Sequence, residues 1–306
     1  MTAKPLNILF ITTETNNCDP IVQSFESVYG PVERLRWWHE RLRVDPDLVL
    51  AAERGPPAAP PGTKWDAIFY IGACGSVATP SAETLRMIGR AAPTVHICFD
   101  GGDAPWWPYV QQYRDMGCFK LQVNIDGAHC PGADMIVTCP VVSDPYDTEP
   151  APERDINFGF AGGVGTYLRS WLTDGLIQNA GLQVRVRTGY ETRDYADYAR
   201  FMRRCRMMLN VPLTGTGQYM HVKSRIIEAG LAGCAVLEHK QSPAFRWFGP
   251  EAMFAYDKIE DIIEIVRAVS PDEVARKAQF LSARVRSAHM PVHIWGAVMQ
   301  AAGVVV

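Results

Sequence analysis

The stretch Gln218–His239, QYMHVKSRIIEAGLAGCAVLEH, decides the fold. Its second half reads as a buried helix end, a turn at Gly233 and Cys234, and a short core strand reaching Leu237. Its first half crowds His221, Lys223, Arg225 and Glu228 together. His221, Arg225 and Glu228 recur at i, i+4 and i+7, one stripe of a helix, and Val222, Ile226 and Ala229 form the stripe beside it. The expectation is a helix whose apolar stripe packs on a sheet while its polar stripe looks along the sheet edge. In open α/β sheets, ligands bind at that edge.

Outward from this stretch, strands and helices alternate. NILFIT, AIFYIG, TVHICFD, KLQVNI and MIVTCPV are short β-branched or aromatic runs, with SAETLRMIGRAA and PYVQQYRDMG as helical patterns between them. Val142–Asp155, VSDPYDTEPAPERD, is rich in Pro and acid, and reads as an interdomain linker. The pattern restarts with INFGFAGG, LQVRVRTG, RMMLNVP, CAVLEH and MFAYD as strands, and TYLRSWLTDGLIQNAG and RDYADYARFMRRC as helices. The tail from IEDIIEIVRAV onward is helical. The alternation predicts an α/β protein of two Rossmann-like halves, each a parallel sheet covered by helices. The expected divisions are residues 1–142, a linker at 143–155, residues 156–282, and a helical segment at 283–306.

The 306 residues are enough for two ordinary domains. Hydrophobic residues make up 47% and charged residues 21%, normal for a globular chain. No run approaches a membrane span, and MTAKPLNILFITT reads as a first strand and not a signal peptide, so a cytoplasmic protein is expected. The net charge of −3 argues against broad nucleic-acid binding. The basic runs RLRWWHERLR and RFMRRCR read as solvated helix faces. The eight Cys form no CxxC pair and have apolar neighbours, which fits buried thiols in a reducing compartment.

Three places can carry chemistry. In NFGFAGGVGTYLRSWL a strand runs into Gly162 and Gly163 before a helix carrying Arg169. Such a turn brings backbone and helix N–H groups close to a phosphate, or is simply a tight strand-to-helix connection. In the opening stretch, TGTGQY leads to a second helix start, where Lys223 and Arg225 add positive charge suited to a diphosphate. Glu228 can accept from both hydroxyls of a ribose; the bland alternative is an Arg225–Glu228 ion pair on a helix surface. In TVHICFDGGDAPWW, Asp100 and Asp103 follow a strand end, where a carboxylate can orient an acceptor hydroxyl or take its proton. Trp106 and Trp107 can stack on a sugar or base. The alternative is Asp103 as a cap before a helix opened by Pro105, with the tryptophans in the core. Asp45 and Asp47 spell DxD, but Pro46 marks a helix start there, so no metal site is expected.

KSRIIEAGLAGCAVLEH followed by FRWFGPEAMFAYDKIEDIIEIV resembles the C-terminal domain of GT-B glycosyltransferases of the CgeB/YkvP type. SARVRSAHMPVHIWGAV is similar to that group's closing helices, and GFAGG with its following Arg to the domain's first turn. The resemblance spans Ile156–Val298 and implies two Rossmann-like domains facing across a cleft, with C-terminal helices packing back towards the N-terminal domain. It implies a nucleoside diphosphate sugar as co-substrate with no further cofactor and no metal, a donor site in the C-terminal half and an acceptor site in the N-terminal half. Gly162, Gly163, Arg169, His221, Lys223, Arg225 and Glu228 would bind the donor; Asp100 and Asp103 would serve the acceptor, whether glycan, small molecule, protein or modified phage DNA base. Retention of configuration is implied by the wider family. Where that family has a second Glu eight residues before Glu228, this chain has Met220. That departure sets two rivals beside a glycosyltransferase: a non-catalytic nucleotide-sugar or glycan binder on the same fold, and a nucleotide-sugar epimerase.

Overall fold

The computed structural model describes residues 6–13, 18–37, 45–72, 80–147, 150, 152–163, 167–186, 195–214 and 216–304. The chain divides into two compact units: Met1–Pro140 with Pro291–Val306 as unit 1, and Val141–Met290 as unit 2.

Unit 1 runs β1 (Ile8–Thr13), α1 (Cys18–Tyr29), β2 (Glu33–Trp37), α2 (Pro46–Arg54), β3 (Ala67–Ile71), α3 (Ala82–Ala91), β4 (Thr94–Cys98), α4 (Trp107–Asp115), β5 (Leu121–Asn124) and β6 (Met135–Ile136). Its six strands are all parallel, in the order β2-β1-β3-β4-β5-β6. Every residue of β3 and β4 is buried, as a parallel strand covered on both faces requires.

Unit 2 runs α5 (Asp144–Asp147), β7 (Ile156–Gly162), α6 (Tyr167–Ala180), β8 (Gln183–Val186), α7 (Tyr195–Arg204), β9 (Cys205–Leu209), α8 (Ser224–Ala232), β10 (Ala235–His239), α9 (Ala244–Phe248), β11 (Met253–Tyr256), α10 (Ile259–Ala268) and α11 (Pro271–Ala288). Its parallel sheet has the order β11-β10-β9-β7-β8. The first crossover leaves β7 in one direction and all later ones go the other way. The carboxyl ends of β7 and β9 therefore flank a topological switch point, where open sheets of this kind bind ligands.

The last helix, α12 (Pro291–Ala301), returns to unit 1 and packs on α1. Trp295 is fully buried there, edge-on to Phe10, Phe25 and Phe69, with its indole N–H donating to Ser24 Oγ at 3.0 Å.

Several expectations need correction. RLRWWHERLR is not a helix face at its start: Glu33–Trp37 forms the edge strand β2, and residues 38–44 lie outside the described residues. Leu35 of this strand packs on the core, while Arg34 and Arg36 pair with Asp19 of α1. RFMRRCR crosses from α7 into β9, and Arg203 within it is buried. The segment read as a linker is docked on unit 2: Tyr146 is buried in that unit's core, and Arg154 donates to the carbonyls of Cys205 and Ala232. The division expected after residue 282 lies inside α11, all of which belongs to unit 2.

Candidate active site

Helix α8 begins one turn later than its polar residues suggest. Lys223 occupies the N-cap position with extended backbone and no capping side chain, so the positive end of the helix lies directly behind it. His221 therefore precedes the helix, and its backbone N–H donates to Pro212 O at 3.2 Å. The Lys223 ammonium donates to His221 Nε2. The helix ends at Gly233, whose left-handed backbone (φ 69°, ψ 35°) turns Cys234 back to donate to Ala229 O at 2.8 Å. Arg225 is 9% exposed and Glu228 4%, and each charge is satisfied by partners inside unit 2.

Arg225 spans the switch point. Its Nε donates to Ala161 O of β7 at 2.5 Å, and its Nη1 donates to Asn210 Oδ1, just beyond β9, at 2.9 Å. The guanidinium lies 4.6 Å from the Phe160 ring centre. Gly162 makes this possible. Its φ of 146° suits glycine, and a β-carbon there would collide with Arg225 Nη2. On its far side, Asn210 donates from Nδ2 to Glu238 Oε2 at 2.5 Å, and its carbonyl accepts from the Tyr256 hydroxyl at 2.7 Å. Glu238 lies at the carboxyl end of β10 and is fully buried. Burial pushes its carboxyl up to about 7, against the opposing pull of hydrogen bonds from Asn210, Ser242 and the His239 N–H and of the Arg225 charge. Neither Asn210 nor Glu238 was expected from the sequence. The available signal was a polar residue at the end of an apolar, doubly covered strand, where it must find a partner.

Glu228 faces α7. Its Oε1 accepts from the Tyr195 hydroxyl at 3.2 Å and its Oε2 from the Tyr198 hydroxyl at 3.0 Å. The two tyrosine rings lie 6.0 Å apart and nearly parallel, and Tyr146 meets Tyr195 edge-on. Burial holds the Tyr146 and Tyr195 hydroxyls well above their usual titration range, with the Glu228 charge adding to it, so they remain donors. A carboxylate has about four lone-pair sites, so two tyrosine donors leave room for further ones. Met220 pairs with Leu213 in a bridge that closes the loop before α8. Gly163 follows β7, and Arg169 falls within α6 with its side chain outside the described residues.

In unit 1, Asp100 follows β4 with a left-handed backbone, φ 55°, uncommon outside glycine. Asp103 is buried, and its Oδ1 accepts from the Ala104 N–H at 2.9 Å. Its carbonyl also accepts from the Trp106 and Trp107 N–H groups, so this turn leads into α4, which starts at Trp107 and not at Pro105. Trp106 packs on the buried Cys98, Val110 and Cys130, whereas Trp107 is 38% exposed. Asp45 caps α2 by accepting from the Asp47 N–H at 2.9 Å, the helix start that Pro46 suggested.

Residues 149–300 match the glycosyl transferase-like family. No curated protein sequence matches the chain. Among solved structures, the chain is similar to HepE from Anabaena in complex with UDP and glucose, at 12% identity and a TM-score of 0.64, over 96% of this chain and 98% of that one. It is similar to α,α-trehalose 6-phosphate synthase from Burkholderia multivorans, at 9% identity and a TM-score of 0.62, over 98% of both chains. It is also similar to an α-glucosyltransferase in complex with UDP-glucose and DNA containing an abasic site, at 6% identity and a TM-score of 0.62, over 97% of this chain and 99% of that one. At these identities the likeness is one of fold, and the fold is that of GT-B glycosyltransferases. Together with the match over residues 149–300, this fold makes the chain a GT-B glycosyltransferase. No helix among the described residues is long and apolar enough to cross a membrane.

Proposed function

We propose that this enzyme moves a sugar from a nucleoside diphosphate sugar to an acceptor hydroxyl, with unit 2 as the donor site. The observation that carries the proposal is Arg225, held across the switch point of unit 2 beside the uncapped start of α8 and Lys223. In the reaction the bond from the sugar's anomeric carbon to the diphosphate breaks. A bond from the acceptor oxygen to that carbon forms, and the acceptor proton leaves. Negative charge grows on the departing diphosphate, where Arg225, Lys223 and the helix end offset it, so no divalent cation is required. Asp100 or Asp103 of unit 1 orients the acceptor or takes its proton. Glu228 accepts from the ribose hydroxyls.

HepE and the α-glucosyltransferase bind UDP or UDP-glucose, which makes UDP-glucose the first donor to test. The order of motifs in unit 2 supports the CgeB/YkvP type within the wider family, and with it transfer with retention of configuration. Buried thiols at Cys98, Cys118, Cys130, Cys205 and Cys234 suit a cytoplasmic enzyme. The decisive experiment is a thermal-shift series with UDP-glucose, other nucleotide sugars and a nucleoside monophosphate. A ligand present at 100 times its Kd stabilises the fold by about 2.7 kcal/mol. One diphosphate sugar should raise Tm selectively, and a flat response to all of them would sink the proposal.

A further inference from the structure

We propose that Glu238 is a positioning residue for the donor diphosphate, acting through Asn210 on Arg225. The inference rests on the donor-site reading above and extends it to two residues that do not touch the ligand.

The argument is one of donors and acceptors. Asn210 stands between two groups of fixed hydrogen-bonding character. Arg225 has only donors to offer, and an ionised Glu238 has only acceptors. The Asn210 amide satisfies both in a single orientation, with its oxygen towards Arg225 Nη1 and its nitrogen towards Glu238 Oε2, and this is the orientation found, at 2.9 and 2.5 Å. Removing the acceptor at Glu238 frees the amide to turn. Its N–H₂ would then face the guanidinium, donor against donor, and Arg225 would lose the contact that draws it towards β9. The three residues come from the ends of three elements on neighbouring strands: Ala161 accepts from Arg225 at β7, Asn210 follows β9 and Glu238 sits on β10. The chain therefore fixes the guanidinium from both sides of the switch point. Fully buried carboxylates are rare without such a partner set. Ser242 and the His239 N–H bond the rest of the Glu238 carboxylate, so the acid is itself held in place.

The test is the calorimetric Kd for UDP at pH 8. Glu238→Gln keeps an acceptor oxygen for Asn210 and should bind UDP within about twofold of the wild type. Glu238→Met removes the acceptor and should weaken binding by about tenfold, the scale of one charge-assisted hydrogen bond. In an Arg225→Ala background, adding Glu238→Met should change nothing further, because both act through one guanidinium. If Glu238→Met fails to fold, Asn210→Ser carries the same expectation. A folded Glu238→Met that binds UDP as the wild type does overturns the proposal. So does an effect of Glu238→Met that persists undiminished on Arg225→Ala, since a purely structural role would behave in that way. If the wild type binds neither UDP nor any other nucleoside diphosphate, the donor-site reading itself fails.

Discussion

Arg225 keeps its place partly through what Gly162 lacks. A methyl group at that position would occupy the space of Nη2 and would also strain a backbone at φ 146°. Gly162→Ala should therefore displace the guanidinium and weaken UDP binding by about tenfold or more. Calorimetry on the folded variant checks this, and unchanged affinity would remove Arg225 from the phosphate site. Glu238 makes a second prediction, about stability. Its carboxyl rises from an ordinary 4.5 to about 7 in the folded chain, a difference worth roughly 3 kcal/mol. The charged group facing it is Arg225, and the Tyr256 hydroxyl beside it is kept neutral by burial. Between those two pH values the folded state holds a proton that the unfolded state has released. The stability tied to that proton is fully present below pH 4.5 and is lost as pH rises through about 7. Glu238→Gln has no such proton, so its Tm should gain on the wild type from pH 5 to pH 8; parallel curves would show that Glu238 ionises normally. Glu228 carries a third prediction. Glu228→Gln should weaken UDP binding by about tenfold and 2′-deoxy-UDP binding much less, because the deoxy ligand already lacks one partner. At this scale the sequence showed Arg225 and Glu228 through their spacing. It hid the groups that hold them, since Tyr195, Tyr198, Asn210 and Glu238 come from other elements.

At the scale of elements, α8 packs so closely on α11 that one glycine is obligatory. A β-carbon on Gly230 would lie 2.6 Å from Val285 Cγ2. In an open helix, Gly→Ala stabilises by about 1 kcal/mol. Here overpacking of about 1–3 kcal/mol opposes that gain, so Gly230→Ala should lower Tm. Adding Val285→Ala, which clears the space, should restore part of the loss in a double-mutant cycle; simple additivity of the two would show that they do not meet. Most elements were legible before the structure, because parallel strands covered on both faces read as unbroken apolar runs, as in AIFYI and TVHIC. Strand β2 was not legible. ERLRW lies at a sheet edge and holds three charged residues in five, so it shows no unbroken apolar run and its arginines read as a solvated helix. The start of α8 was misplaced for a related reason. The i, i+4, i+7 pattern ran back to His221, but that residue belongs to the extended approach to the helix.

For the whole molecule, the division of labour between the two units can be tested. Asp100→Asn and Asp103→Asn should leave UDP affinity as it is and lower the rate of sugar transfer, because both lie in unit 1 while the groups proposed to bind the donor lie in unit 2. Wild-type transfer by both variants would make the turn after β4 purely structural. Trp295→Ala should destabilise unit 1 by about 3–5 kcal/mol, since it empties the space among Phe10, Phe25 and Phe69. The return of α12 to unit 1 has a consequence for biosynthesis. Unit 2 is one unbroken segment and has all its parts as soon as Met290 is made. Unit 1 is begun first, yet it must wait for Trp295 while all of unit 2 is translated. Until then the aromatic face of Phe10, Phe25 and Phe69 lacks its cover, which is the kind of surface that chaperones hold. The half of the chain synthesised first should therefore be the last to become protease-resistant as the newly made protein folds.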